Sequence, residues 1–378
     1  MQSPAQAISC RPKRVAIVCD FAEENWPSMD LVADMLYQNL SGQHTELAVG
    51  LIRPMLRYGA TSPGKASRLY GRFVQYARHL RTIRDQFDLF HIVDHSYSQL
   101  VHDLPPERTI VTCHDLDTFR CLIEPAREPR SFAYRLMTRR ILRGFQMAAH
   151  VVCNTVATHD QILRHQLIAA NKLTVIHNGV HPDLSPESDA ADHALAETIQ
   201  RPAGVVPELL HVGSTIPRKR IDLLLKIFAS VRQQLPSLRL LRVGTPFTIE
   251  QQRLMNDLQL TQAIDFIPRL TPSMLAAAYR RASATLQPSE AEGFGLPVIE
   301  SMACGTPVVA SDIPALREIG GANTCFCPAG DIGRWTDAIL RTLASPPSHT
   351  ALREHARHFS WEAHAAKVAQ IYERVLAK

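Results

Sequence analysis

The sequence predicts an α/β fold of two Rossmann-like domains, each an open parallel sheet with helices on both faces. Three observations predict it. Short apolar, β-rich runs alternate with longer amphipathic stretches along the chain, the pattern of βα units in a sheet buried on both sides. The alternation breaks once, in a polar stretch near the middle that holds several prolines, and then restarts. The length of 378 residues suits two cores, at roughly 100–200 residues per domain.

In the first half, Arg14–Cys19, Glu46–Ile52, Leu89–Val93, Thr109–Cys113, Val151–Asn154 and Leu173–His177 read as strands. Helices such as Met29–Leu40 and Ser131–Phe145 lie between them, giving a first domain over residues 1–182. The stretch His181–Pro207 turns polar and small, with Pro182, Pro186, Pro202 and Pro207 and no sustained periodicity, so residues 183–207 are expected to be a linker. Strands resume at Leu209–Gly213, Leu238–Val243, Ile264–Ile267, Ala284–Gln287, Pro307–Ala310 and Thr324–Cys327, defining a second domain over residues 208–359. The last segment, 360–378, carries Ala365, Val368, Ala369, Ile371, Tyr372 and Val375 on one helical stripe, an amphipathic helix that needs an apolar surface. Open α/β sheets bind ligands at the carboxyl ends of their strands, so function is expected in a cleft between the two domains.

Composition narrows the class. Apolar residues at 46% and charged residues at 20% are enough for two cores and argue against a disordered or coiled-coil chain. No run approaches the ~20 apolar residues of a membrane span, and Met1–Arg14 lacks the apolar region of a secretion signal. The expected location is cytoplasmic. The cysteines at 10, 19, 113, 121, 153, 304, 325 and 327 are scattered and read as small core residues of a reducing compartment. Cys325 and Cys327 form a lone C-x-C without the second pair a zinc site needs, so no metal is expected.

Residues 1–182 hold 21 Lys and Arg against 16 Asp and Glu, the whole of the net charge of +5. Two helical segments concentrate it: Lys65, Arg68, Arg72, Arg78, Arg81 and Arg84, then Arg127, Arg130, Arg135, Arg139, Arg140 and Arg143. They read either as solvated faces or as surfaces drawn to anionic lipid or a phosphate-bearing acceptor, which would put the protein peripherally at the inner membrane face. Nucleic acid is not expected, because no aromatic stacking platform accompanies the charge.

Three loops carry candidate chemistry. After the strand Ala284–Gln287 comes Ser289-Glu-Ala-Glu292-Gly293-Phe294-Gly295-Leu296-Pro297-Val-Ile-Glu300. Glycine permits close backbone approach, Pro297 suits the first helical position, and amides at a helix start attract phosphate. Glu292 and Glu300 are expected on one ligand-facing edge; the plainer alternative is a helix cap and a solvated side chain. After the strand Leu209–Gly213, Ser214-Thr-Ile-Pro-Arg218-Lys219-Arg220 crowds three cations into one βα loop without forming a P-loop. Arg218 as a planar fork and Lys219 as a point charge suit a diphosphate; a solvated basic turn is the alternative. His114-Asp115 follows the strand Thr109–Cys113; it is either a satisfied structural pair or a site residue, and a helical phosphohydrolase is disfavoured because the pair ends a strand.

These motifs, in this order, resemble the retaining glycosyltransferases of the GT-B architecture, in the large group called family 4. The residues that carry the resemblance are Glu292-Gly-Phe-Gly-Leu-Pro-x-x-Glu300, followed by Ser301-Met-Ala-Cys-Gly-Thr-Pro-Val-Val-Ala-Ser-Asp312. Val212-Gly-Ser-Thr-Ile-Pro-Arg-Lys219, Val175-Ile-His-Asn-Gly179, His114-Asp115 and Phe359-Ser-Trp-Glu362 are similar to further family segments, so the likeness spans residues ~109–378. The resemblance implies transfer of a sugar from a UDP-sugar or GDP-sugar, held by the second domain, to a glycan, polysaccharide or lipid-linked acceptor held by the first.

It assigns Arg218 and Lys219 to the leaving diphosphate and Glu300 to the ribose. Glu292 and the Phe294–Leu296 amides go to the transferred sugar, His114 to the reaction centre, with Gly213, Ser214, Gly293 and Gly295 lining the donor site. It also implies that the last helix crosses back to the first domain, and that no metal or other cofactor is needed. Asp115-Leu-Asp117 has a metal-holding spacing but lies in the HD loop. Two departures stand out. Ser214 replaces an arginine common in the family, and the loop Asp20–Ser28 lacks the usual glycine pair, leaving Asn25 and Trp26 as an acceptor platform or a cover for the domain edge. A nucleotide-sugar epimerase of the same architecture and a catalytically silent sugar-nucleotide sensor are the competing readings; turnover separates them.

Overall fold

The computed structural model describes residues 11–24, 26–55 and 64–377. Cys10, Asn25 and the side chain of Lys65 lie outside the described residues. The chain forms two compact units. Residues up to Asn154, with Thr158–His177 and the segment from Trp361, make the first; Thr155–Ala157 and Asn178–Ser360 make the second.

The first unit holds β1 (Lys13–Val18), β2 (Leu47–Ile52), β3 (Leu89–Ile92), β4 (Thr109–Cys113), β5 (His150–Cys153) and β6 (Leu173–Val175) in the order β2-β1-β3-β4-β5-β6, all parallel. The central strands β3 and β4 are buried at every position, as a parallel sheet covered on both faces requires. One face packs Ala16, Val18, Phe90, Ile92 and Val111 against Tyr76, Leu80, Ile141 and Phe145. The other packs Val15, Ile17, Leu89, Ile110 and Val152 against Ala33, Leu36 and Leu40 of the helix Pro27–Gln43.

The final helix, Trp361–Leu376, belongs to this second face. Its stripe Ala365, Val368, Ala369, Ile371 and Tyr372 is buried in the same cluster. A polar contact fixes its seating: the buried His91, on β3, bridges Tyr372 Oη at 2.7 Å and Thr112 Oγ1 at 2.7 Å through its two ring nitrogens. Burial holds the ring neutral, with its pKa down at about 3, so one nitrogen donates and the other accepts.

The second unit holds β7 (Glu208–Gly213), β8 (Arg239–Gly244), β9 (Ile264–Ile267), β10 (Ala284–Gln287), β11 (Val308–Ser311) and β12 (Thr324–Cys327) in the order β12-β11-β10-β7-β8-β9, again parallel. Chain order reverses direction between β10 and β7. In open α/β sheets such a switch point leaves a crevice at the carboxyl ends of the strands, where ligands bind.

One expectation is corrected here. The stretch expected as a linker contains the helix Ala190–Thr198, with a reciprocal capping box between Asp189 and Asp192. Arg280 binds it, reaching Asp192 at 2.7 Å, Asp189 at 3.2 Å and the Ser185 carbonyl at 2.9 Å, so the segment is built into the second unit. Alanine-rich composition favours helix without an apolar stripe, and only Leu195 of this helix is buried, which is why periodicity does not reveal it.

Replacing Tyr372 by Phe leaves a His91 nitrogen without its partner in the core. It should lower unfolding free energy by about 1–3 kcal/mol, measured by urea titration of the full chain. Val368→Asp, which places a carboxylate in the same cluster, should prevent stable folding.

Candidate functional site

The candidate site of the second unit grows from the carboxyl ends of β7 and β10, which are neighbours across the switch point. Beyond β7 the chain makes one 3₁₀ turn, Pro217–Lys219, and Arg220 takes a left-handed conformation with φ 50° before the helix Ile221–Gln234. This sharp re-entry holds Arg218 and Lys219 at the sheet edge, because Ile221, Leu223, Leu224 and Leu225 immediately sink into the core. Beyond β10 the chain runs through Glu292 to Gly295, whose φ of 96° caps the helix Leu296–Ala303. A Cβ at Gly295 would lie 2.5 Å from Leu316 Cδ2, so both backbone angle and space demand glycine. Pro297 is the second residue of this helix, not the first, where it likewise removes no helical hydrogen bond.

The two loops meet. The Glu290 N–H donates to the Arg218 carbonyl at 2.8 Å, and Arg218 Nη1 donates to the Ala291 carbonyl at 2.9 Å. Between them stands the Glu292 carboxylate. It accepts from Lys219 Nζ at 2.6 Å, Arg218 Nη1 at 3.1 Å, Ser289 Oγ at 2.6 Å and Gln287 Nε2 at 2.5 Å. Its burial opposes ionisation, but the two cations and the Ser289 hydroxyl outweigh that and bring its pKa down to about 2. Glu292 is therefore a fixed anion.

Glu300 behaves in the opposite way. It is the fifth residue of its helix, in the second turn rather than the first, and it is buried. Tyr279 Oη donates to it at 2.7 Å. With no cation offsetting the burial, its pKa rises to about 7, against the small opposing effect of the Tyr279 hydroxyl. The two carboxylates of the E-x7-E segment thus have separate partners, and Glu300 is neither a helix cap nor solvated.

Gly213 ends β7 and Ser214 and Thr215 follow it; Thr215 N–H donates to Thr245 Oγ1 at 2.8 Å, tying this loop to the one after β8. Gly293 and Phe294 occupy the bend before Gly295 and Leu296, with Phe294 buried edge-on against Phe359 at 6.1 Å between ring centroids. The structure thus brings together Arg218, Lys219, Glu292 and the glycine loop, and places Glu300 in the helix behind. His114 belongs to the first unit instead.

There it ends β4 as a buried, neutral imidazole: Nε2 lies 2.7 Å from the Val93 carbonyl, so it carries the proton, and Nδ1 faces Asn154 Nδ2 at 3.4 Å. Burial lowers its pKa despite the nearby Asp94. Asp115 Oδ1 accepts the Asp117 N–H at 3.0 Å, so these two acids form part of a turn. Trp26, at the start of the helix Pro27–Gln43, is about half exposed, at 48%.

The motifs pass over several residues that the structure adds. Near His114 stand the buried Asp94 and His95, with the buried Asp20 beside Asp94; His95 Nδ1 lies 3.3 Å from Asp94 Oδ1 and Nε2 3.8 Å from Asp115. In the second unit, His211 and Arg242 face each other in register on β7 and β8, both fully buried. The signal was present in the pattern: Leu-Leu-His211-Val-Gly and Leu-Leu-Arg242-Val-Gly each place one polar side chain inside an apolar strand, an arrangement that burial penalises unless it has a use.

Comparison with known proteins identifies the family. Residues 199–359 match the family described as Glycosyl transferases group 1, and residues 37–184 match Glycosyltransferase Family 4. A D-inositol 3-phosphate glycosyltransferase of Saccharomonospora viridis is 32% identical over 250 residues, covering 61% of this chain and 56% of the relative. The O-antigen chain mannosyltransferase RfbU of Salmonella typhimurium is 25% identical over 264 residues, covering 69% and 68%. The chain spans about half the length of the inositol 3-phosphate enzymes it matches. Among solved structures, sucrose-phosphate synthase from Thermosynechococcus elongatus superposes with a TM-score of 0.78 at 22% identity, covering 97% of this chain and 99% of that one. Anabaena HepE in complex with UDP and glucose gives 0.72 at 16% identity, covering 96% and 100%. At these identities the superpositions show a shared fold.

Glu300 makes a pH prediction. Its folded pKa, about 7, lies above the ordinary 4.5, so folding retains a proton that the unfolded chain loses. Its contribution to stability is fully present below about 4.5 and is lost as pH rises toward about 7. The difference in melting temperature between wild type and Glu300→Gln should shift against wild type across that window and level off above it. A pH-independent difference would contradict the burial argument.

Proposed function

The chain belongs to the glycosyltransferases of the GT-B architecture, and from that premise we propose that it transfers a glycosyl group from a nucleoside diphosphate sugar to an acceptor hydroxyl, with retention of anomeric configuration. The observation that carries the proposal is the Arg218–Lys219–Glu292 cluster at the switch point of the second sheet. In the reaction the bond between the anomeric carbon and the diphosphate oxygen breaks, and the acceptor oxygen bonds to that carbon on the same face. The acceptor's proton passes to the departing phosphate. Negative charge builds on the leaving group, and two preorganised cations stabilise it at little reorganisation cost. A metal is not required by this arrangement, because Arg218 and Lys219 supply the charge.

Glu292 occupies these cations before the donor arrives. An incoming diphosphate offers them a stronger partner, and the freed carboxylate, to which Ser289 Oγ still donates, becomes an acceptor for sugar hydroxyls. Glu300 is suited to a ribose diol: two hydroxyls donate to a carboxylate and favour its ionised form over the protonated one. His114, uncharged and with Nε2–H committed to Val93, is assigned to the reaction centre as a neutral dipole rather than a charge.

For the acceptor we read a glycan, polysaccharide or lipid-linked chain, with the basic segments sorting into two kinds. In the first, Arg72 lies 3.5 Å from Glu24 and 2.8 Å from Ser96 Oγ, while Arg81 donates to the buried Asp103 at 2.9 Å. These arginines serve the fold. The helix Phe132–Met147 is different: it contains no acid, exposes Arg139, Arg140 and Arg143, and leaves Phe132 at 75%, Leu136 at 56% and Met147 at 40% exposed. Cations interleaved with exposed apolar side chains fit the interface of an anionic bilayer. No helix among the described residues is long and apolar enough to cross a membrane.

Lys219→Ala and Glu300→Ala should each lower kcat/KM at least ~10-fold through lost charge-assisted contacts, measured as UDP or GDP release that depends on added acceptor. Wild-type kinetics in both variants would reject the site, and sugar-nucleotide interconversion without acceptor would favour an epimerase. Reversing Arg139 and Arg140 to Glu should weaken sedimentation with phosphatidylglycerol vesicles in a salt-sensitive manner; unchanged sedimentation would mark the helix as an ordinary solvated face.

A further inference from the structure

Arg242 is fully buried on β8, and among the described residues no carboxylate pairs with it. Its Nη1 donates to the carbonyl of its own neighbour, Val243, while Nε and Nη2 are buried without a hydrogen-bond partner among the described residues. The Phe247 ring lies 5.8 Å from the guanidinium carbon. Beside it in register is His211, also fully buried, with neither ring nitrogen hydrogen-bonded. An isolated buried cation is strongly unfavourable, and proteins normally pair it or remove it. The cost is great enough here to pull the guanidinium's pKa down to about 10.

Its neighbours indicate a use. Arg242 lies at the carboxyl end of β8, adjacent to β7, whose following loop carries Lys219. The backbones of the two strands converge at a pair of glycines. A Cβ at Gly244 would sit 1.8 Å from the Gly213 carbonyl oxygen and 2.8 Å from Arg242 Nη1; one at Gly213 would sit 3.4 Å from His211 Cε1 and 3.8 Å from Lys219 Cε. Arg242, Lys219 and His211 therefore ring a side-chain-free patch of backbone. Within this ring there is no acid, and Lys219 is turned toward Glu292 on its far side. Ser214, next to Gly213 in the loop, has no charge.

We infer that Arg242 is a further donor-phosphate ligand: it supplies, from the neighbouring strand, a cation that the loop after β7 lacks at Ser214. This rests on the donor reading above. The loops after β7 and β8 are joined at Thr215 and Thr245. A diphosphate reaching Lys219 lies within range of a side chain that no acid retains, and the energy stored in the unpaired charge is released when Nε and Nη2 gain phosphate oxygens. Arg242 binds the leaving group in this account and takes no proton from it.

The test uses the full chain and compares Arg242→Met with wild type by calorimetric titration of UDP, GDP and the corresponding monophosphates, alongside thermal unfolding without ligand. Removing an unpaired buried charge should leave the melting temperature equal or raise it. Affinity for whichever diphosphate binds wild type should fall at least ~10-fold, and affinity for its monophosphate should fall less. A merely structural arginine gives the reverse: a lower melting temperature and diphosphate affinity unchanged in the folded fraction, which would overturn the inference, as would equal losses for mono- and diphosphate. Should Arg242→Met not fold, the inference requires Arg242→Lys, which keeps the charge and loses the fork, to bind the diphosphate more weakly than wild type at an unchanged melting temperature. Wild type binding neither diphosphate would instead remove the donor reading on which this stands.

Discussion

A single carboxylate, Glu292, organises the second unit's site. Two cations and two neutral donors from two stretches of chain converge on it within 3.1 Å, and it is almost wholly withdrawn from water. Buried ion pairs add little net stability, because desolvation cancels most of the attraction, but breaking one by deleting a partner is severe. Such a cluster therefore specifies position more than it stabilises. Arg218 and Lys219 stand side by side on one turn, and Glu292 accepts from both. The same electrostatics make the arrangement exchangeable: a bound dianion competes for the cations on better terms than one carboxylate.

Glu300 shows what happens without such compensation. It lies eight positions further along the same segment, equally buried, yet the group that donates to it is a neutral hydroxyl. The result is a carboxyl near half-ionised at neutral pH rather than permanently charged. The E-x7-E spacing thus produces one acid locked by cations and one poised by burial, and their chemical difference arises from neighbours on other strands, not from the spacing.

This division also marks what the sequence discloses. All twelve strands lie within a residue or two of their expected places, because apolar runs bounded by turn residues are dictated by burial on both faces of a parallel sheet. The stripe Ala365–Val375 foretold that the last helix needs a surface, though periodicity alone does not say which. The cationic turn and the glycine loop were legible since both break local rules, three charges in one turn and glycines at a helix start. The helix Ala190–Thr198 was not, for it rests on caps and the Arg280 contacts rather than on an apolar face. Nor were the pairings of Glu292, which join residues more than seventy positions apart, or the burial of Arg242, which depends on register with β7.

Topology then accounts for a contrast that no motif contains. Each sheet has one place where strand order reverses, between β1 and β3 in the first and between β7 and β10 in the second. Loops diverge there, so polar groups at the strand ends escape being packed over. The second sheet fills its switch point with Arg218 and Lys219, the first with Asp20 and Asp94. Burial and the facing Asp94 carboxylate push Asp20 well above the usual carboxylate range, while His95 and the hydrogen bonds from Ser96 keep Asp94 below it against its own burial. The two neighbouring carboxyl groups are thus pushed in opposite directions. The two Rossmann-like sheets share a backbone plan, and the groups at their switch points differ: cations on the loop after β7 in one, acids after β1 and β3 in the other.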